Sequence, residues 1–131
     1  MQDRSNVPKL FGTSGIRGNV RNKVTERFAL DLARAMSTML ANEGQVVVGS
    51  DYRTTSAELR AALLGGLLGG GIDAFDTGFL PTPVLAFGVP AVGADAGIMV
   101  TASHNPPEDN GIKCYSHEGR EFIPDEEEVL E

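Results

Sequence analysis

Three consecutive valines, Val46, Val47 and Val48, between Gln45 and Gly49, constrain this chain more than any other stretch. A strand that is apolar at every position, rather than at alternate ones, buries both of its faces. That is the habit of parallel sheets covered by helices on each side. A second such run, Ala96-Gly97-Ile98-Met99-Val100, repeats the signal before a polar segment begins at Thr101. Helical patterns separate the two. Thr25 can cap a helix reaching about Asn42, with Phe28, Leu32, Met36 and Met39 or Leu40 on one face and Gly44 ending it. Thr55 and Glu58 suit a capping box for a second helix to about Leu68. Thr82 and Pro83 open a short third helix that Pro90 disturbs.

The remaining strands are expected at Lys9-Leu10-Phe11, at residues 72–77 and at residues 110–115, with a Gly-rich loop running from the first of them to Lys23. His117-Glu118-Gly119-Arg120 supplies a hairpin turn into Glu121-Phe122-Ile123. The expected fold is therefore a three-layer α/β domain. Its mixed, mainly parallel sheet is flanked by helices and carries an antiparallel edge hairpin. Two Gly-Gly clusters in the second helix cost it about 1 kcal/mol per interior glycine. Close packing of that helix on the sheet is the expected reason for them.

A chain of 131 residues fits one domain and buries about two-thirds of its unfolded surface. The sequence has no tryptophan, so the core must be built from Val, Leu, Ile, Ala and Met. The amino-terminal residues Met1-Gln2-Asp3-Arg4-Ser5 show no leader pattern, and no apolar run is long enough to span a bilayer. One cysteine, Cys114, cannot form an internal disulfide and suits a reducing, cytoplasmic setting. A net charge of −7 argues against nucleic acid and anionic membranes as partners. A phosphate ligand stays open, because anion sites need only a few local cations and backbone N–H groups.

The polar residues that follow the parallel strands fall at one rim of the sheet, where α/β domains bind ligands. Asp51 and Arg53 follow the second strand, Gly78 to Thr82 the third, and Ser103 the fourth. By residue type alone, Ser-His-Asn-Pro-Pro-Glu-Asp-Asn-Gly could be nothing more than a turn-rich loop. Lys113 alternates with Ile112 and Cys114, so it points away from the core if those two point into it. An exposed, solvated lysine is the plain reading of it. Arg17 sits between Gly15 and Gly18 in a loop able to approach a ligand, and a guanidinium is a natural bidentate partner for phosphate. Asp51 and Arg53 read as a pair that shapes the rim. A serine hydrolase is disfavoured, since no Gly-x-Ser-x-Gly elbow is present and adjacent His104 and Ser103 point apart in extended chain.

Thr-Ala-Ser-His-Asn-Pro-Pro-Glu-Asp-Asn-Gly-Ile-Lys, from Thr101 to Lys113, closely resembles the phosphoserine segment of the α-D-phosphohexomutases, which include phosphoglucomutases and phosphomannomutases. Phe11-Gly12-Thr13-Ser14-Gly15-Ile16-Arg17-Gly18 resembles the amino-terminal loop of that family. Val48-Gly49-Ser50-Asp51-Tyr52-Arg53 resembles its second-strand motif, and Thr77-Gly78 with Pro81-Thr82-Pro83 its third. The resemblance runs from about Leu10 to Lys113, with the motifs in the expected order.

The resemblance implies that residues 1–131 are the amino-terminal α/β domain of a four-domain enzyme, without the remaining domains. It implies interconversion of sugar 1-phosphates and 6-phosphates, with Ser103 carrying the phosphoryl group and a hexose 1,6-bisphosphate as intermediate. Ser103, His104 and Lys113 are the implied catalytic residues, and Arg17, Thr13, Ser14 and Asn105 the implied phosphate-binding ones. Mg²⁺ would be bound partly through the phosphate on Ser103, its other ligands coming from an Asp-rich loop in the second domain. The isolated chain is thus expected to be incomplete and inactive. Ser14 stands where phosphoglucosamine mutases often carry Asp, a slight tilt towards glucose or mannose phosphates. A non-catalytic phosphate-binding or interaction module on the same fold is the alternative.

Overall fold

The computed structural model describes residues 15–102 and 105–122. Eight elements follow in order: β1 (Ile16–Asn19), α1 (Glu26–Met39), β2 (Gln45–Ser50), α2 (Ser56–Gly69), β3 (Asp73–Phe79), α3 (Thr82–Ala91), β4 (Ala96–Val100) and β5 (Asp109–Ser116). The strands form one sheet in the order β1-β5-β4-β2-β3. β2 pairs in parallel with β3 and β4, whereas β5 runs antiparallel to both β4 and β1. This is the mixed α/β sheet expected from the sequence. The antiparallel part reaches further than expected, because β1 lies inside the stretch read as a Gly-rich loop and pairs along β5. Its four residues, Ile-Arg-Gly-Asn, carry too little apolar character to announce a strand, and β5 supplies the pairing that makes them one. The strand expected at Lys9-Leu10-Phe11 lies outside the described residues.

Side-chain alternation sorts the sheet into two buried faces. Val46, Val48, Ala96, Ile98, Val100, Ile112, Cys114 and Ile16 pack with α1 and α2 through Leu32, Met36, Leu59, Leu63 and Leu67. Val47, Met99 and Tyr115 pack on the other side with Leu85 and Val89 of α3. Helices therefore cover both faces, which is why the valine run had to be apolar throughout.

Thr25 caps α1 as expected, its Oγ1 accepting from the Phe28 amide at 3.0 Å. The helix stops at Met39, short of Asn42, because Ala41 and Asn42 both turn to φ +58°. The capping box at α2 does not form. Thr55 already has helical backbone angles, and its Oγ1 accepts from Asn110 Nδ2 at 2.9 Å instead. At α3 the cap is Pro81, one residue before the expected Thr82, and Pro90 falls in the last turn, where it scarcely interrupts the helix.

The helix glycines also have a different partner from the expected one. A Cβ on Gly66 would lie 2.6 Å from Ala33 Cβ and 3.0 Å from the Leu30 carbonyl, so the close approach is to α1 rather than to the sheet. The turn at residues 117–120 forms as read. Ser116 N donates to Arg120 O at 2.8 Å, and Tyr115 bridges Glu121 in antiparallel fashion.

Candidate functional site

The carboxyl ends of β2, β3 and β4 lie along one edge of the sheet, because these three strands are mutually parallel. Strand β1 points the same way, being antiparallel to β5 as β4 is, so its end joins that edge. Residues from distant parts of the sequence meet there.

Asp51, just past β2, is the hub. Its carboxylate accepts from Thr101 Oγ1 at 2.8 Å, from the Ser56 hydroxyl and from the Arg53 amide at 3.1 Å. The Arg53 Nε stands 3.5 Å from Asp51 Oδ2, so the pair read from the sequence forms. The guanidinium goes on to donate to three backbone carbonyls: Nη2 to Asn105 at 2.7 Å, and Nη1 to Pro106 at 2.8 Å and Asp109 at 3.3 Å. Arginine suits such a task because its planar fork presents several N–H groups in fixed directions.

Asn105 is held on every side. Its amide donates to Ala102 O at 3.0 Å, its Nδ2 to Asp109 Oδ2 at 3.2 Å, and its Oδ1 accepts from Arg17 Nη1 at 3.2 Å. Arg17 reaches across from β1, where it pairs opposite Gly111. A Cβ on Gly111 would sit 2.9 Å from Arg17 Cγ, so the glycine leaves room for that side chain. One residue earlier, buried Asn110 donates to both Thr55 Oγ1 and Ser56 Oγ at 2.9 Å, tying the start of β5 to the start of α2.

Lys113 projects away from Ile112 and Cys114, onto the face it shares with Arg17. It is not a solvated lysine. Its side chain is only 15% exposed, and its Nζ lies 3.2 Å from Glu121 Oε1. Two residues along, the Tyr115 hydroxyl has its pKa pushed up to about 12 by burial and, secondarily, by the charges of Glu121 and Cys114. That phenol stays protonated at neutral pH.

Of the residues singled out from sequence, the structure thus brings Arg17 and Asn105 into contact and sets Lys113 on the same face. Ser103, His104, Thr13 and Ser14 lie outside the described residues. Thr101 and Asn110 were not singled out, and only their side-chain hydrogen bonds mark them. Among the described residues no three His, Cys, Asp or Glu side chains converge as metal ligands. A cavity of about 360 Å³ between the amino-terminal ends of α1 and α2 is lined by none of the candidate residues.

Compared with known proteins, residues 8–131 match the family described as phosphoglucomutase/phosphomannomutase, alpha/beta/alpha domain I. The chain belongs to this family. It is similar to a "Probable phosphoglucosamine mutase" of Pyrococcus abyssi, 48% identical over 123 residues, and to a "Phosphopentomutase" of Thermococcus kodakarensis, 46% identical over 123 residues. Each alignment takes in 94% of this chain but 27% of the relative, so the chain spans about a quarter of their length. Among solved structures, a phosphoglucomutase/phosphomannomutase family protein from Burkholderia thailandensis superimposes with a TM-score of 0.79 at 32% identity, covering 93% of this chain and 29% of that one. The names of these mutases differ in the sugar phosphate they imply. As a domain I of this family, the chain has the family's α/β/α layering. No helix among the described residues is long and apolar enough to cross a membrane.

Proposed function

We propose that this chain is the phosphoryl-carrying domain of a larger hexose phosphate mutase, with Ser103 as the carrier. One observation carries the reading. Both flanks of the Thr101–Asp109 loop are tied to a strand rim by Asp51 and Arg53, and Arg17 reaches Asn105 from a sheet face that also carries Lys113. Flanks held so firmly, with an arginine at one of them, suit a site that binds a phosphorylated side chain.

In the proposed reaction, phosphorylated Ser103 transfers its phosphoryl group to the free hydroxyl of a hexose monophosphate. The bond between phosphorus and the serine oxygen breaks, and a bond from phosphorus to the sugar oxygen forms. The hydroxyl proton passes to a base, a role Lys113 can take only once its ammonium has given up its own proton. While charged, Lys113 instead offsets charge on the phosphoryl oxygens, with His104 contributing beside the carrier. The resulting hexose 1,6-bisphosphate turns end for end and returns its other phosphoryl group to Ser103. Arg17 and Asn105, with Thr13 and Ser14, would bind phosphate oxygens, and positioning together with charge stabilisation would supply most of the rate. Mg²⁺ would add charge neutralisation at the phosphoserine. The described residues offer no group of three His, Cys, Asp or Glu side chains to hold it. The chemistry belongs to carbohydrate metabolism in the cytoplasm, with the other domains of the same polypeptide completing the site.

The test is phosphoprotein mass spectrometry on the full-length protein incubated with glucose 1,6-bisphosphate. Phosphate on Ser103, lost together with turnover in Ser103→Ala, is the expected result. An unlabelled Ser103 and a Ser103→Ala protein indistinguishable from the parent would point to a non-catalytic phosphate-binding module.

A further inference from the structure

Arg53 takes no part in the proposed chemistry, yet it is among the most heavily engaged side chains at the rim. We infer that the Asp51–Arg53 pair is a positioning device that fixes the backbone of the two segments flanking Ser103, at Thr101 and at residues 105–109, and through Asn105 the aim of Arg17. The inference rests on the mutase reading for its consequence in turnover, but not for its structural content.

Three observations converge on it. Arg53 spends its guanidinium on the carbonyls of Asn105, Pro106 and Asp109, which belong to one loop, and not on a neighbouring carboxylate alone. Asp51 holds the opposite flank through Thr101 Oγ1, so the two partners of one ion pair grip the two ends of the loop. Asn105, fixed at its carbonyl by Arg53, is the residue that accepts from Arg17. The side chains of Arg53 and Asp51 are 16% and 27% exposed, so these contacts are partly shielded from water and stronger than surface pairs. Lysine could keep the charge beside Asp51, but one ammonium cannot span carbonyls reached by two separate guanidinium nitrogens.

The geometry of a nucleophile loop matters steeply, since a displacement of about 1 Å can cost on the order of a hundredfold in rate. Two measurements on the full-length enzyme therefore test the inference. In the first, hydrogen exchange of Arg53→Ala and Arg53→Lys is compared with the parent. The amides of Thr101, Asn105 and Asp109 should exchange at least about tenfold faster, while those of Val47 and Ile98 in the sheet stay protected. In the second, both variants should lose on the order of a hundredfold in kcat with KM little changed, as expected when positioning rather than binding is damaged.

Unchanged loop exchange in either variant, or parent-like turnover in Arg53→Lys, would overturn the inference. If Arg53→Ala exchanges quickly throughout and so has lost its fold, Arg53→Lys alone decides. Should the parent enzyme carry no phosphate on Ser103, the mutase reading falls, and the exchange measurement still decides whether the clamp exists.

Discussion

At the scale of single residues, close backbone approach does as much as charge to build the rim. Gly111 lies in β5 between β1 and β4, and a Cβ there would meet the Thr101 carbonyl at 2.7 Å and the Ile16 carbonyl at 2.8 Å. Neither atom can swing aside as a flexible side chain would. Gly111→Ala is therefore expected to lower stability by about 1–3 kcal/mol, read as a lower urea midpoint at unchanged slope. A loss below about 0.5 kcal/mol, the range of ordinary surface substitutions, would show that the strands separate freely at this point. Some of this scale was legible in the sequence. Strand alternation alone gave the direction of Lys113, because Ile112 and Cys114 had to face a core. Its partner Glu121 was not legible, since it depends on how the hairpin folds back. Nor were the carbonyls that Arg53 holds, which lie more than fifty residues along the chain and are chosen by the path of a loop.

At the scale of elements, the glycine pair Gly65-Gly66 of α2 separates a packing role from a cost. Gly66 faces Ala33 and the Leu30 carbonyl of α1, whereas a Cβ on Gly65 would meet nothing within 4 Å. The two neighbours should thus respond in opposite directions to one substitution. Gly65→Ala is expected to stabilise the domain by about 0.5–1 kcal/mol through helix propensity and backbone entropy. Gly66→Ala should destabilise it by about 1–3 kcal/mol, since α1 must move away. Paired thermal melts would check this, and a shift of the same sign in both would refute the assignment of faces. Sequence gave the helix and its glycines, but not the surface they serve. The failed capping box at Thr55 has a similar origin. The Thr and Glu spacing was right, and a buried asparagine from β5 claimed the hydroxyl first.

At the scale of the whole molecule, the layering followed from two apolar runs, because strands buried on both faces require helices on both sides. What escaped was β1, which has no apolar run of its own and becomes a strand by pairing along β5, the antiparallel strand expected near residues 110–115. Strand β1 carries Arg17, so the least legible element of the fold holds one of the two cations of the proposed site. The chain has the cations and the loop, but its described residues present no cluster of metal ligands, and it spans only 27% of its curated relatives. Folding and catalysis should accordingly come apart. The isolated 131 residues are expected to unfold cooperatively, because one continuous core joins α1, α2 and the sheet. The same preparation should interconvert no measurable hexose 1-phosphate and 6-phosphate, whereas the full-length protein, as the mutase proposed above, is expected to do so with Ser103 phosphorylated. A thermal melt and a coupled turnover assay on both proteins would decide the matter. Turnover by the isolated domain within about tenfold of the full-length rate, a difference of only about 1.4 kcal/mol in barrier, would mean that these residues alone assemble the site.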